Sequence, residues 1–121
     1  MTSERATTTL DELAARLADF ARERDWDQFH SPKNLAMALA GEAGELVEVF
    51  QWLSEAESAN LSPAARAAAD EEIADVLLYL VRLADKLGID PLDAARRKLD
   101  ANGRKYPTDK ARGHSRKYTE L

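Results

Sequence analysis

Glu42 and Glu45, in GEAGELVEVFQW (41–52), stand three residues apart, and Glu72 and Asp75, in EEIADVLLYLV (71–81), repeat that spacing. On a helix, residues three or four apart share a face, so each stretch presents an acidic pair. At about 100° per residue, Glu42 falls inside an arc made by Leu35, Leu39, Leu46, Val49, Phe50 and Leu53. A charged carboxylate in apolar surroundings is costly or neutralises, and a second one nearby makes matters worse. A cation is therefore expected beside these acids. Since the acidic strip is expected to meet no basic side chain short of Lys86, the expected cation is a metal ion. Oxygen-only ligation favours a hard divalent ion, Mg2+ with Mn2+ as a substitute, over zinc or copper. A di-iron bundle would use Glu-x-x-His pairs, which neither His30 nor His114 completes. Any single E-x-x-E is most often a solvated helix face, because glutamate is a good helix former. Two pairs, one set into an apolar face, favour the metal.

Four helices are expected to carry these residues. The first opens near Thr9, where TLDE offers a capping box closed by Glu12. Leu10, Leu13, Leu17 and Phe20 then recur at helical spacing, and the helix fades near Arg24. Ser31-Pro32 and Ser62-Pro63 each set a cap residue before a proline in the first turn. They open the second helix, which runs to about Ser54, and the third, which stops before Gly88. Asp90-Pro91 opens a shorter fourth helix that ends near Asn102-Gly103, and the residues beyond look irregular. Short links between amphipathic helices make neighbours antiparallel, so the expected fold class is all-α, an antiparallel bundle of about four helices. In the third helix Ile73, Val76, Leu77, Leu80, Ala84 and Leu87 form the expected buried face, widened by Leu78 and Val81. A helix so apolar needs cover on several sides, and a homo-oligomer, dimer or tetramer, is expected.

The length, 121 residues, suits one domain over 1–121, with 1–8 and about 108–121 flexible or tail-like. Only five glycines and four prolines argue against a loop-rich or all-β chain. The lack of cysteine excludes disulfides, a thiolate nucleophile and Cys-ligated zinc. No strictly apolar run, VLLYLV at 76–81 included, is long enough to span a bilayer, and the first residues lack the apolar core of a secretion signal. No membrane partner is expected, and the expected location is cytoplasmic. Within a net charge of −5, the segment from Arg96 to Leu121 holds nine Lys/Arg against three Asp/Glu, a local +6. That asymmetry leaves a second class of function: a helical, metal-stabilised binding protein whose basic C-terminal segment contacts nucleic acid. No nucleic-acid motif accompanies the segment and the acidic body would repel a duplex, so nucleic acid is not the expected partner.

GEAGELVEVFQW followed by EEIADVLLYLVRLADKLGID resembles the E-x-x-E, then E-x-x-D signature of the all-α nucleoside triphosphate pyrophosphatases, the MazG-like superfamily. More narrowly, ERDWDQFHSPKNLAMALAGEAGELVEVFQW, DVLLYLV and the ending KLDANGRKYP…KYTEL are similar to the dCTP pyrophosphatase branch. The resemblance covers nearly the whole chain from Leu10. It implies Mg2+-dependent hydrolysis of a (deoxy)nucleoside triphosphate, dCTP or a modified dCTP foremost, to the monophosphate and pyrophosphate, in helical dimers or dimers of dimers. Position by position it implies Glu42, Glu45, Glu72 and Asp75 as metal ligands. Trp26 to His30, Trp52 and Tyr79 would line the nucleotide pocket, and Lys98 and Asn102 would approach the phosphates. One departure is Leu17, at a position where animal members carry a histidine.

The implied chemistry suits these side chains. A triphosphate repels an anionic nucleophile, so its oxygens must be neutralised and a water oriented toward the phosphorus attacked. Ions held by carboxylates can do both. A carboxylate not fully used in coordination can take the water's proton, and Glu45 is the expected base. Lys98, Lys105 and Arg104 offer positive charge to the departing pyrophosphate, although bases at a helix end are favoured by the helix dipole alone. Trp52, at the edge of the acidic strip, suits stacking on a base. Trp26, Phe29 and His30 together suit a pocket wall, and Tyr106 before Pro107 suits an anchor for the tail.

Overall fold

The computed structural model describes residues 7–121; residues 1–6, most of the start expected to be flexible, lie outside the described residues. Six α-helices follow in order: α1 (Leu10–Glu23), α2 (Pro32–Phe50), α3 (Glu55–Ser58), α4 (Pro63–Leu87), α5 (Pro91–Lys105) and α6 (Thr108–Ala111). Two 3-10 turns lie at Asp27–Phe29 and Tyr118–Glu120, and there is no strand among the described residues. The chain forms two compact units, one ending at Ile89 and the other Asp90–Leu121.

In the first unit, Ser31 Oγ accepts the N–H of Asn34 and Ser62 Oγ that of Ala65, both at 3.1 Å, so the two Ser-Pro signals open α2 and α4 as expected. At the start of α1, Thr9 Oγ1 accepts the Glu12 N–H at 3.1 Å, but the Glu12 carboxylate reaches back to Thr8. The expected box is thus half formed at Thr9. The complete capping box lies instead at Ser54 and Glu57, with bonds of 3.1 and 2.8 Å in the two directions. Ser54 diverts the backbone into α3, which explains why α2 stops at Phe50, short of the expected Ser54. Gly88, with φ 68°, ends α4: its N–H reaches Asp85 O, and the Ile89 N–H reaches Ala84 O, the paired bonds of a left-handed helix stop.

α4 packs along α2 and against α1. On α2 the expected arc holds up to Phe50, with Leu35 buried and Leu39, Leu46, Val49 and Phe50 half-buried around a half-buried Glu42; Leu53, expected to extend it, lies in the turn after the helix. Half of the expected face of α4 is covered, Val76 and Ala84 with Leu78 and Val81 beside them, and the other half is not. Ile73, Leu77, Leu80 and Leu87 are exposed, while Ala69, Val81, Arg82 and Ala84 are buried and Glu72, Asp75, Val76 and Tyr79 half-buried. The covered side of α4 thus takes in the acidic strip together with Val76, Val81 and Ala84, and the Ile73–Leu77–Leu80 stripe is left open in the single chain.

In the second unit, Asp90 Oδ1 accepts the N–H groups of Leu92 and Asp93 at 3.0 and 3.1 Å and starts α5. The helix continues through Asn102-Gly103, the expected stop, because Gly103 keeps negative φ and Tyr106 N–H still reaches Asn102 O at 2.8 Å. Pro107, which has no N–H to donate, ends the run. The stretch expected to be irregular then holds the single turn of α6, and Tyr106 meets Tyr118 edge to face with ring centres 6.0 Å apart.

Candidate metal and nucleotide site

Because α2 and α4 face one another through the sides that carry acids, Glu42, Glu45 and Glu72 come together. One ligand oxygen from each lies within 4.8 Å of the others. Glu42 Oε2 and Glu72 Oε2 are buried and have no hydrogen-bond partner. Burial, first, and then the neighbouring Glu45 and Asp75 push the Glu42 carboxyl up to about 7. Burial and Glu45 raise Glu72 as well. A buried carboxylate oxygen without a partner is costly, and three acids gathered on one point repel. Both features fit a hard divalent cation, which takes oxygen donors and tolerates carboxylates in number. Asp75 is not in that trio. It lies one helical turn beyond Glu72, its charge is felt by Glu42, and it lines a neighbouring cavity.

That cavity, of about 180 Å³, is lined by Leu17, Phe20, Trp26 and His30 from the N-terminal part of the unit and by Asp75, Leu78, Tyr79 and Arg82 from α4. Its far wall depends on how α1 ends. Asp25 takes φ 55°, the left-handed conformation that Asp tolerates better than most side chains. Trp26 N–H then reaches back to Ala21 O at 2.8 Å. The reversal lays Trp26 edge-on to Phe20, with ring centres 5.7 Å apart. Gln28 holds Asp25 from the other side through bonds of 3.0 Å to its backbone and carboxyl oxygens.

Of the expected pocket residues, Trp26, His30 and Tyr79 share the cavity. Trp52 does not line it, standing 86% exposed in the turn after α2. Lys98, Asn102 and Lys105 lie on α5 in the second unit, where Lys105 Nζ sits 4.8 Å from the ring centre of Tyr118. Leu17 is part of the apolar wall.

Sequence reasoning missed Arg82. It continues the register of Glu72, Asp75 and Tyr79 at the next turn, so the strip does carry a base before Lys86. At 5% exposure it is the buried cation among the described residues. The guanidinium does not answer the carboxylate trio: it donates to Asp27 Oδ1 at 2.6 Å, to Asp85 Oδ2 at 3.4 Å and to His30 Nδ1 at 3.1 Å. Lys86 joins Asp27 at 3.0 Å, and its hydrogen bond and charge, with help from Arg82, hold the Asp27 carboxyl below the usual range. Burial and the Arg82 charge lower the His30 pKa, and the opposing pull of Asp27 does not reverse this.

The profile of the MazG-like family matches residues 38–121. Over 115 residues the chain is 51% identical to dCTP pyrophosphatase 1 of Homo sapiens and 48% identical to that of Mus musculus, in each case covering 93% of this chain and 68% of the relative. Among solved structures, a pyrophosphatase from Archaeoglobus fulgidus aligns with a TM-score of 0.77 at 40% identity, covering 86% of this chain and 97% of that one.

Proposed function

The chain belongs to the MazG-like family, and from that membership and the carboxylate geometry we propose that it is a cytoplasmic nucleoside triphosphate pyrophosphohydrolase. The proposed substrate is dCTP or a modified dCTP, and the products are the monophosphate and pyrophosphate. The observation that carries the reading is the Glu42–Glu45–Glu72 trio, two of its oxygens buried without partners, in a chain half identical to proteins named dCTP pyrophosphatase 1.

Glu42, Glu45 and Glu72 would hold Mg2+, with Asp75 completing the set from the cavity side. A divalent cation bound there supplies positive charge to the triphosphate oxygens and acidifies a water. Glu45, the exposed member of the trio, would take that water's proton. Trp26, His30 and Tyr79 would receive the base in their cavity, and Trp52 would stack on the nucleotide. For Lys98, Asn102 and Lys105 the proposed role is donation to phosphate oxygens. The exposed Ile73, Leu77 and Leu80 support a homo-oligomer, dimer or tetramer. Among the described residues no helix is long and apolar enough to cross a membrane.

The test is product analysis over a panel of nucleoside triphosphates with Mg2+ and with chelator. Pyrophosphate and dCMP from dCTP, only with metal, are expected. Release of orthophosphate and a diphosphate would mean attack at the terminal phosphorus and would reject the reading.

A further inference from the structure

Arg82 is a buried cation beside the cavity that the hydrolytic chemistry does not use. A guanidinium carries donors only, so the 3.1 Å contact from its Nε requires a lone pair on His30 Nδ1. The imidazole proton then resides on Nε2, since in a neutral ring one nitrogen donates and the other accepts. Two acids aim the guanidinium, Asp27 from the 3-10 turn and Asp85 from α4, and Lys86 fixes Asp27 in turn. His30 lines the cavity, and its Nε2 makes no hydrogen bond among the described residues. The neighbouring walls Leu17, Phe20 and Trp26 are largely apolar.

We infer that Arg82 is a positioning residue for base recognition: by donating to Nδ1 it locks His30 as the Nε2–H tautomer, so that the cavity offers a fixed N–H donor to an acceptor atom of the base. The inference rests on the reading of this cavity as the nucleotide-base site. Ring atom N3 distinguishes the pyrimidines in these terms. It is an acceptor in cytosine and a protonated donor in uracil and thymine, so a fixed donor opposite N3 favours cytosine and leaves the others with donor facing donor. Without Arg82 the ring can place its proton on either nitrogen, and the discrimination relaxes.

The experiment uses the full chain and reads three quantities. Imidazole 15N shifts of the parent are expected to show an unprotonated Nδ1 and a protonated Nε2 at neutral pH; a proton on Nδ1, or a charged ring, would overturn the inference without any variant. Calorimetric binding of dCMP and dUMP needs no turnover. The parent is expected to prefer dCMP, and Arg82→Met to lose about tenfold in dCMP affinity, the size of one well-placed hydrogen bond, while Mg2+ binding is unchanged. In hydrolysis the same variant should raise KM for dCTP and leave kcat within about twofold. The last arm is His30→Gln, which keeps an N–H donor without a tautomer to set: in that background Arg82→Met should change dCMP affinity little. If Arg82→Met lowers dCMP affinity equally in both backgrounds, or lowers only the melting temperature, Arg82 is a packing residue and the inference fails. Absence of hydrolysis by the parent would instead remove the proposed function, and the binding and 15N arms would still decide the role of Arg82.

Discussion

Glu42 on α2 and Glu72 on α4, thirty residues apart in the chain, each hold a buried oxygen without a hydrogen-bond partner, and a carboxylate oxygen of one lies within 4.8 Å of one of the other. A helix pair held together by packing alone would not place two such groups face to face, because each forfeits its hydration without replacement. The arrangement becomes favourable when a cation joins it. Replacing Glu42 with glutamine keeps shape and removes charge, so Glu42→Gln should abolish Mg2+-dependent hydrolysis yet melt no lower than the parent in chelator. Mg2+ at a hundred times its Kd should stabilise the parent by about 2.7 kcal/mol through mass action and the variant much less. Melting curves of both proteins with Mg2+ and with chelator decide it; a variant that melts well below the parent in chelator would remove Glu42 from the metal site.

The same carboxyl sets a pH dependence. Burial and its acidic neighbours raise Glu42 from 4.5 to about 7, so between those values the folded chelated protein holds a proton that the unfolded chain has released. The folded state binds more protons there, and stability falls as pH rises. In chelator the contribution of Glu42 is complete below about 4.5 and is lost as pH passes through about 7. Metal needs the ionised form, so apparent Mg2+ affinity should run the other way, weakening as pH drops below 7. Thermal melts in chelator from pH 5 to 8 should show the decline in the parent and a smaller one in Glu42→Gln. Equal slopes for the two proteins would contradict this account.

What was legible in the sequence is what the helical period and the caps carry locally. The arc of Leu35, Leu39, Leu46, Val49 and Phe50, with Glu42 inside it, depends on one helix and appears in the structure, save that Leu53, its expected last member, falls beyond the end of α2. The Ser-Pro starts and the Gly88 stop are likewise short-range signals. The facing of α4 was legible only in part: Val76, Val81 and Ala84 are covered as expected, but Ile73, Leu77 and Leu80 on one side and Ala69 and Tyr79 on the other both look buriable, and only tertiary packing chooses between them. Arg82 shows the same limit. Its register with Tyr79 could have been counted, but its partners Asp27 and His30 lie more than fifty residues away, and nothing local to α4 points to them.

Trp52, 86% exposed, offers stability little and a base a full ring face. Trp52→Ala should therefore leave the melting temperature unchanged and raise KM for several nucleotides, since stacking on an aromatic side chain contributes about 1–3 kcal/mol per base and tolerates every base. Steady-state kinetics over the nucleotide panel, beside a melt, measures both. An unchanged KM with a lowered melting temperature would make Trp52 a packing residue between subunits.

Ile73, Leu77 and Leu80 fall at i, i+4 and i+7 of α4 and are 56%, 39% and 43% exposed in the single chain. Apolar side chains aligned along one helix and left open to water mark an interaction surface more often than a solvated face. A stripe that continues along one helix suits the corresponding stripe of a second copy across a two-fold axis, where each residue meets its equivalents. The protein should therefore scatter light as a species of at least twice 13.4 kDa at micromolar concentration. Leu77→Glu places a charge in the middle of the stripe, where burial would cost more than the lost apolar contact alone, and should shift the species toward 13.4 kDa. Because Leu77 is 39% exposed and the buried side chains of α4 are Ala69, Val81, Arg82 and Ala84, the helical circular dichroism of the variant should persist. A parent that already scatters as a 13.4 kDa monomer would refute the oligomer, and the stripe would then need another occupant.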